Sequence, residues 1–385
     1  MDNNSPAFTN ANPVLSLDNR IAWIDVVRSI AIISITLNHA VNRSFAPLSG
    51  QSQEFLELPI LVSIIEAAFC AFSRIGVPLF LMITGALLLN RSYEEKGRIS
   101  HFLKHNWLNL FIITEIWLAI MFCYWQLGPN SVLFVQGVKA CLARFVMTLL
   151  FINPITMASM WYMEMILCVY LMIPVLAIGL KKIDWRYFII PMIIVAFSSL
   201  FIPDVNAVLK GLNLSYELNS ALTAGNVFPW YVICIILGYL LINNKIKIIA
   251  NAKSSIIILM AILSFVGYLL FQLWFLSLDY NYVVGYKSIF PSLTAFFVFE
   301  VIHRFKPGKI IQKLTEKLSK ISLGIYFVHI CIMEGLVFII KHFQLNIMHL
   351  SKLVFLETVS FFGSILIIVI LSKSKYLKKY LFGIK

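Results

Sequence analysis

Apolar runs long enough to cross a bilayer recur along this chain, separated by short stretches where Lys and Arg gather. A membrane-spanning helix needs about 20 predominantly apolar residues. By that measure the sequence predicts an all-α, polytopic integral membrane protein with about ten transmembrane helices. They fall at residues 21–41, 73–89, 107–126, 161–180, 187–202, 227–242, 255–276, 289–302, 321–340 and 353–371. The stretch 59–89 is too long for one ordinary span. Its first half is expected to be interfacial or re-entrant, with Arg74 and Pro78 at the junction. Residues 136–151 carry Lys139 and Arg144 and are expected to lie amphipathically at the interface. Composition agrees: 60% of the residues are hydrophobic, against about 45–50% in a soluble domain.

The basic residues set the orientation. Of the 31 Lys and Arg, 22 fall on the side of the termini, seven on the opposite side, and two, Arg28 and Arg74, inside spans. Loops rich in Lys and Arg stay on the cytosolic face. Both termini are therefore expected in the cytosol, and the protein in the inner or plasma membrane. The same asymmetry accounts for the net charge of +13, which leaves little to support a nucleic-acid role. Residues 1–19 lack the basic start and apolar core of a cleaved signal peptide and read as a flexible cytosolic tail. Residues 20–372 read as the membrane domain, and 373–385 as a basic cytosolic tail. Six cysteines (Cys70, Cys123, Cys141, Cys168, Cys234 and Cys331) stand singly in or near apolar segments. Without metal-ligand spacing they read as small hydrophobes, and no metal is expected. No internal repeat points to a transporter built from inverted halves.

The first span reads DVVRSIAIISITLNH over residues 25–39. Arg28 and His39 are eleven positions apart, three helical turns plus about 20°, so they share a face about 16 Å apart along the axis. Asp25, three residues before Arg28, is within its reach. Charges inside an apolar helix are costly and point to a functional site. The other reading of the same residues is a short interfacial helix whose Arg28 reaches headgroups while His39 packs. In the predicted orientation Arg28 lies toward the cytosol, where a guanidinium can hold phosphate. His39 lies deeper, and an imidazole suits a general base for a hydroxyl. A substrate with a phosphorylated head in the cytosol and a reactive end in the membrane would span both groups, and acyl-coenzyme A has that form.

Residues 25–39 resemble the first helix of the membrane-bound acyltransferase-3 family, with its Arg-x10-His signature. RIGVPLFLMITGALL (residues 74–88) is similar to that family's second-helix motif, with Thr84-Gly85 in place of a Ser-Gly. WYMEMILCVYLMIPVL (161–176) resembles its W…Y-L-x-x-P segment, and SLGIYFVHI (322–330) its late helix with Tyr and His. The four segments stand in the family's order across nearly all the chain. The resemblance implies transfer of an acyl group, most often acetyl, from acetyl-CoA to a hydroxyl of a cell-surface polysaccharide or its lipid-linked precursor. It places Arg28 on the donor side, with Asp25 beside it, and His39 at the chemistry. One departure stands out. Many members carry Arg-x-x-Arg at the start of the third helix. The equivalent stretch here, FLKHNWLNLF (102–111), has Asn106 and Asn109 at those places. Lys104 and the basic segment 304–320 are then the candidates for the donor phosphates.

Each further candidate carries two readings. Arg74 is a donor- or acceptor-site cation, or an arginine reaching the outer interface. Glu164 orients His39 or binds sugar, or it is a structural carboxyl. Trp161, Tyr326 and His329 are candidates for holding the acceptor; Trp161 equally suits an interfacial anchor, and Tyr326 suits packing. The expected partners are acyl-CoA, a carbohydrate acceptor and the bilayer. The rival class is a lipid-linked glycan flippase or small-molecule transporter. It would also need buried charge and many spans, but it would not consume acyl-CoA.

Overall fold

A computed structural model describes residues 21–45, 58–128, 131–152, 160–218, 229–278, 284–286 and 288–384. The tail expected over 1–19 lies outside the described residues. Every regular element among them is helical. Hydrocarbon offers no partner to backbone N–H and C=O groups, and a helix satisfies them within its own segment.

The helices in chain order begin with α1 (Ala22–Ser44), α2 (Ile60–Ser73), α3 (Gly76–Leu88) and α4 (Arg98–Trp125). Next come α5 (Val132–Leu149), α6 (Trp161–Lys182), α7 (Trp185–Gly211), α8 (Trp230–Ile242) and α9 (Ser254–Ser277). The last are α10 (Ile289–Arg304), α11 (Lys309–His342), α12 (His349–Leu371) and α13 (Lys375–Phe382). Nine segments among the described residues are long and apolar enough to cross a membrane: α1, α2 with α3, α4, α5, α6, α7, α9, α11 and α12. The chain is thus an all-α integral membrane protein. The nine differ from the predicted ten at three helices. α8 is apolar but shorter, and α10 is 16 residues long yet keeps Phe299 and Glu300 buried. α5 has the length of a span, but only Cys141 and Thr148 along it are buried.

Helix ends meet in an up–down order. Trp23, at the start of α1, lies 4.8 Å from His303, at the end of α10. Asn243, after α8, donates to Asn90, after α3, at 3.0 Å. Arg43, at the end of α1, pairs with Glu334 in the second half of α11.

At the centre stands α1. It packs against α2, α3, α10, α11 and α12, and its buried residues lie all around the helix. A helix packed among five others belongs to an interior rather than flat at an interface. The expected break in 59–89 is present: α2 ends at Ser73, Arg74 and Ile75 turn the chain, and α3 begins at Gly76. A Cβ on Gly76 would stand 2.7 Å from the Ala31 carbonyl oxygen of α1. The missing side chain lets this junction press onto the central helix.

Three stretches left outside the predicted spans are helical. Residues 203–211 complete α7 rather than opening a loop. A π turn at Phe197–Phe201 precedes Pro203, whose absent N–H falls in the first turn of the next segment. Asp204 then accepts from Ser288 Oγ at 2.9 Å and Ile289 N at 3.0 Å, capping α10. Much of the basic segment 304–320 is the first third of α11. From Lys309 to Leu323 it has no Gly or Pro, and Lys320 pairs with Glu316 at 2.6 Å. The basic tail folds as α13, with Phe382 buried and Trp117 Nε1 donating to the Leu381 carbonyl at 2.7 Å.

Candidate active site

Because α1 is unbroken, Arg28 and His39 keep the predicted relation, three turns apart. Each end of that interval has its own setting.

His39 is buried, and its ring centroid lies 5.2 Å from that of His329 on α11. From His329 a series of ring contacts leads outward. Tyr326 follows at 6.4 Å, then Tyr162 of α6 at 5.9 Å, and Trp161 beside it at 6.1 Å. Trp161 meets Tyr286 at 5.8 Å, and the Arg74 guanidinium lies over the Tyr286 ring at 5.3 Å. Arg74 Nη2 donates to Asn42 Oδ1 at 3.0 Å. Asn42 is one turn beyond His39, so the circuit closes on α1. Five segments contribute: α1, the α2–α3 junction, α6, the residues before α10, and α11. Arg43 adds a second cation; it donates to the His39 carbonyl at 3.0 Å and pairs with Glu334. Arg43 and Arg74 are the cations whose charge reaches His39, whereas Glu164 bears on Tyr326.

At the other end, Arg28 Nη1 donates to Ser319 Oγ of α11 at 3.0 Å. Asp25 is buried one turn before, and Ser29 Oγ bonds its carbonyl at 2.8 Å. Tyr93, Phe102 and Tyr170 form a ladder beside this end, with centroids 5.4 and 5.9 Å apart. Arg28 and Arg91 both act electrostatically on Tyr170. Lys181 Nζ donates to the Arg91 carbonyl at 2.9 Å. The Tyr93 hydroxyl is buried without a partner. Burial pushes it up to about 12, so it remains a hydrogen-bond donor at neutral pH.

The structure therefore brings His39, His329, Tyr326, Trp161 and Arg74 together, sets Glu164 against Tyr326, and places Arg28 and Asp25 three turns away. Lys104 is not in either group; it is exposed on a π turn, Leu103–Trp107. The basic segment 304–320 meets Arg28 and Ser29 through Ser319 and the Thr315 carbonyl. Sequence reasoning missed Tyr162, Tyr286, Asn42 and Arg91. Arg91 was countable only as a topogenic charge, and Tyr286 lies in a connection whose fold the sequence did not define. Among the described residues no group of three or more His, Cys, Asp or Glu side chains is placed to hold a metal ion.

Fold and site define an integral membrane protein of polytopic helical type, with an imidazole pair enclosed by aromatic and cationic side chains at its centre. The acyltransferase-3 family model, an acyltransferase domain, matches residues 21–373. The chain belongs to that family. No curated protein and no solved structure matches it.

Proposed function

We propose that this protein transfers an acyl group, acetyl in the simplest case, from acetyl-CoA to a hydroxyl of a cell-surface polysaccharide or its lipid-linked precursor. The observation carrying this reading is the closed circuit around His39, on the same helix as Arg28, in a chain of acyltransferase family. The 22-to-7 split of basic residues supports cytosolic termini, which puts the Arg28 end where coenzyme A is found.

In this mechanism Arg28 and Arg91 hold the donor phosphates, with the Tyr93 hydroxyl available to them. The pantetheine arm follows α1 toward His39. His39 takes the acceptor's hydroxyl proton as that oxygen attacks the thioester carbonyl. The C–S bond then breaks, and the proton passes to the departing thiolate. Arg74, fixed by Asn42 and Tyr286, is the cation placed to meet the developing oxyanion. Trp161 and Tyr286 offer the aromatic faces on which a sugar packs.

Purified protein given acetyl-CoA and acceptor should release free thiol in step with acylated product; a transporter would release none. Arg28→Ala should raise the donor KM about 10–100-fold with little change in kcat, the worth of a lost charge-assisted hydrogen bond. Arg91→Ala should act in the same direction. Lys104→Ala should change the donor KM by less than about twofold, because an exposed charge contributes little. A donor KM sensitive to Lys104 and indifferent to Arg91 would reverse the assignment of the phosphate site.

A further inference from the structure

His39 and His329 each keep one ring nitrogen buried without a hydrogen-bond partner: Nδ1 of His39 and Nε2 of His329. A buried polar atom left so is costly. Here two occur on adjacent rings, tilted 49° with centroids 5.2 Å apart. The proton on His329 is fixed by its other nitrogen. Nδ1 lies 2.8 Å from the Ile325 carbonyl oxygen. A carbonyl only accepts, so Nδ1 carries the hydrogen, and Nε2 of the neutral ring is a lone pair. An acceptor of fixed tautomer thus sits beside an orphaned nitrogen of the proposed base. Contacts between such neighbouring catalytic groups are often loose without substrate and tighten when it binds.

We propose that His329 is the positioning residue of the catalytic base: its Nε2 accepts the Nδ1–H of His39, so that His39 presents the Nε2 lone pair to the acceptor hydroxyl. The inference rests on the reading of His39 as the base. The Ile325 carbonyl orients His329, and His329 orients His39, as outer partners commonly fix the tautomer of a working histidine. The proton balance is simple. The acceptor's proton moves to His39 Nε2 as the new C–O bond forms. It leaves for the thiolate sulfur as the C–S bond breaks. His329 keeps its own proton on Nδ1 throughout. It stabilises the transient imidazolium through a hydrogen bond that strengthens when the donor is charged. This differs from a role in gripping the acceptor, which would act through KM.

Two amides separate the roles. His329→Gln places an amide oxygen where Nε2 stood; His329→Asn reaches only the Nδ1 position and leaves His39 unanswered. In purified full-length enzyme, the Asn variant should lose about 10²–10³-fold in kcat, and the Gln variant about tenfold or less. The acceptor KM should stay within about threefold in both. Equal kcat for the two amides, or a loss confined to acceptor KM, would overturn the proposal. A second measurement needs no variant to fold: 15N chemical shifts of histidine-labelled wild-type protein. They should show His39 protonated at Nδ1; protonation at Nε2 instead also overturns it. If His39→Ala kept wild-type activity, the base itself would be misassigned, while the tautomer readout would still judge the His39–His329 contact.

Discussion

His39→Ala is expected to lower acyl transfer by about 10³-fold or more while leaving donor binding near its wild-type strength. A positioned general base contributes roughly 10²–10⁴-fold, and removing one member of a cooperating set costs nearly as much as removing the set. Donor binding should persist because Arg28 lies three turns away, bonded to Ser319, and Arg91 stands in the loop before α4. The fold should persist as well. His39 Nδ1 makes no hydrogen bond in this structure, and Arg43 is bonded to the backbone carbonyl of His39, which the substitution retains. His39→Gln fills more of the space with a group that cannot accept a proton at neutral pH, and it should be equally inert. The measurement is free-thiol release alongside donor binding to the same purified variants. A wild-type turnover rate in either variant would remove His39 from the chemistry, whatever its surroundings.

The parts of this molecule that rest on short-range pattern were legible in the sequence. The eleven-residue spacing of Arg28 and His39 needs only an unbroken helix, and α1 is one. The α2–α3 break was marked by a charge and a proline inside an overlong apolar run. What was not legible depends on contacts between distant segments. Tyr162 meets Tyr326, and Tyr286 meets Trp161 and Arg74, only when α6, α11, the residues before α10 and the α2–α3 junction assemble. Charge patterning also misled in one direction. Lysines between residues 304 and 320 read as a connection between spans, yet from Lys309 on, past Pro307 and Gly308, the stretch is also a good helix, and α11 starts there and runs 34 residues. The same ambiguity touched the proposed donor site. Lys104 lies two residues before the expected position, but the π turn carrying it leaves the side chain exposed, while Arg91, in the preceding loop, acts electrostatically on Tyr170.

Gly85→Ala is expected to destabilise the protein by about 2–4 kcal/mol, near the upper end of what overpacking does. α3 and α8 cross so closely that a Cβ on Gly85 would stand 1.8 Å from the Ile235 carbonyl oxygen. Reciprocally, a Cβ on Gly238 would stand 2.1 Å from the Met82 carbonyl oxygen. Both obstacles are backbone atoms, so no rotamer change relieves them; the helices must part. Membrane helices associate largely through such close approach at small residues. Thr84, the other half of the Thr84-Gly85 motif, spends its hydroxyl inside its own helix, on the Phe80 carbonyl at 2.9 Å. The glycine is therefore the half that carries the contact. Parting α3 from α8 also reaches the site, because α3 begins at the junction where Gly76 presses on α1 and Arg74 meets Asn42. Activity should fall even at temperatures where the variant stays folded. Gly179→Ala is the control: inside α6 a Cβ there meets only the Phe188 ring, at an ordinary 3.7 Å, and stability should not fall. The double variant Gly85→Ala/Gly238→Ala should cost less than the sum of the two single changes, since one separation of the helices relieves both clashes. Thermal unfolding in detergent, read by loss of the monodisperse species, measures all four. Additive losses, or a Gly85→Ala protein that melts with the wild type, would show that the crossing is looser than these distances require.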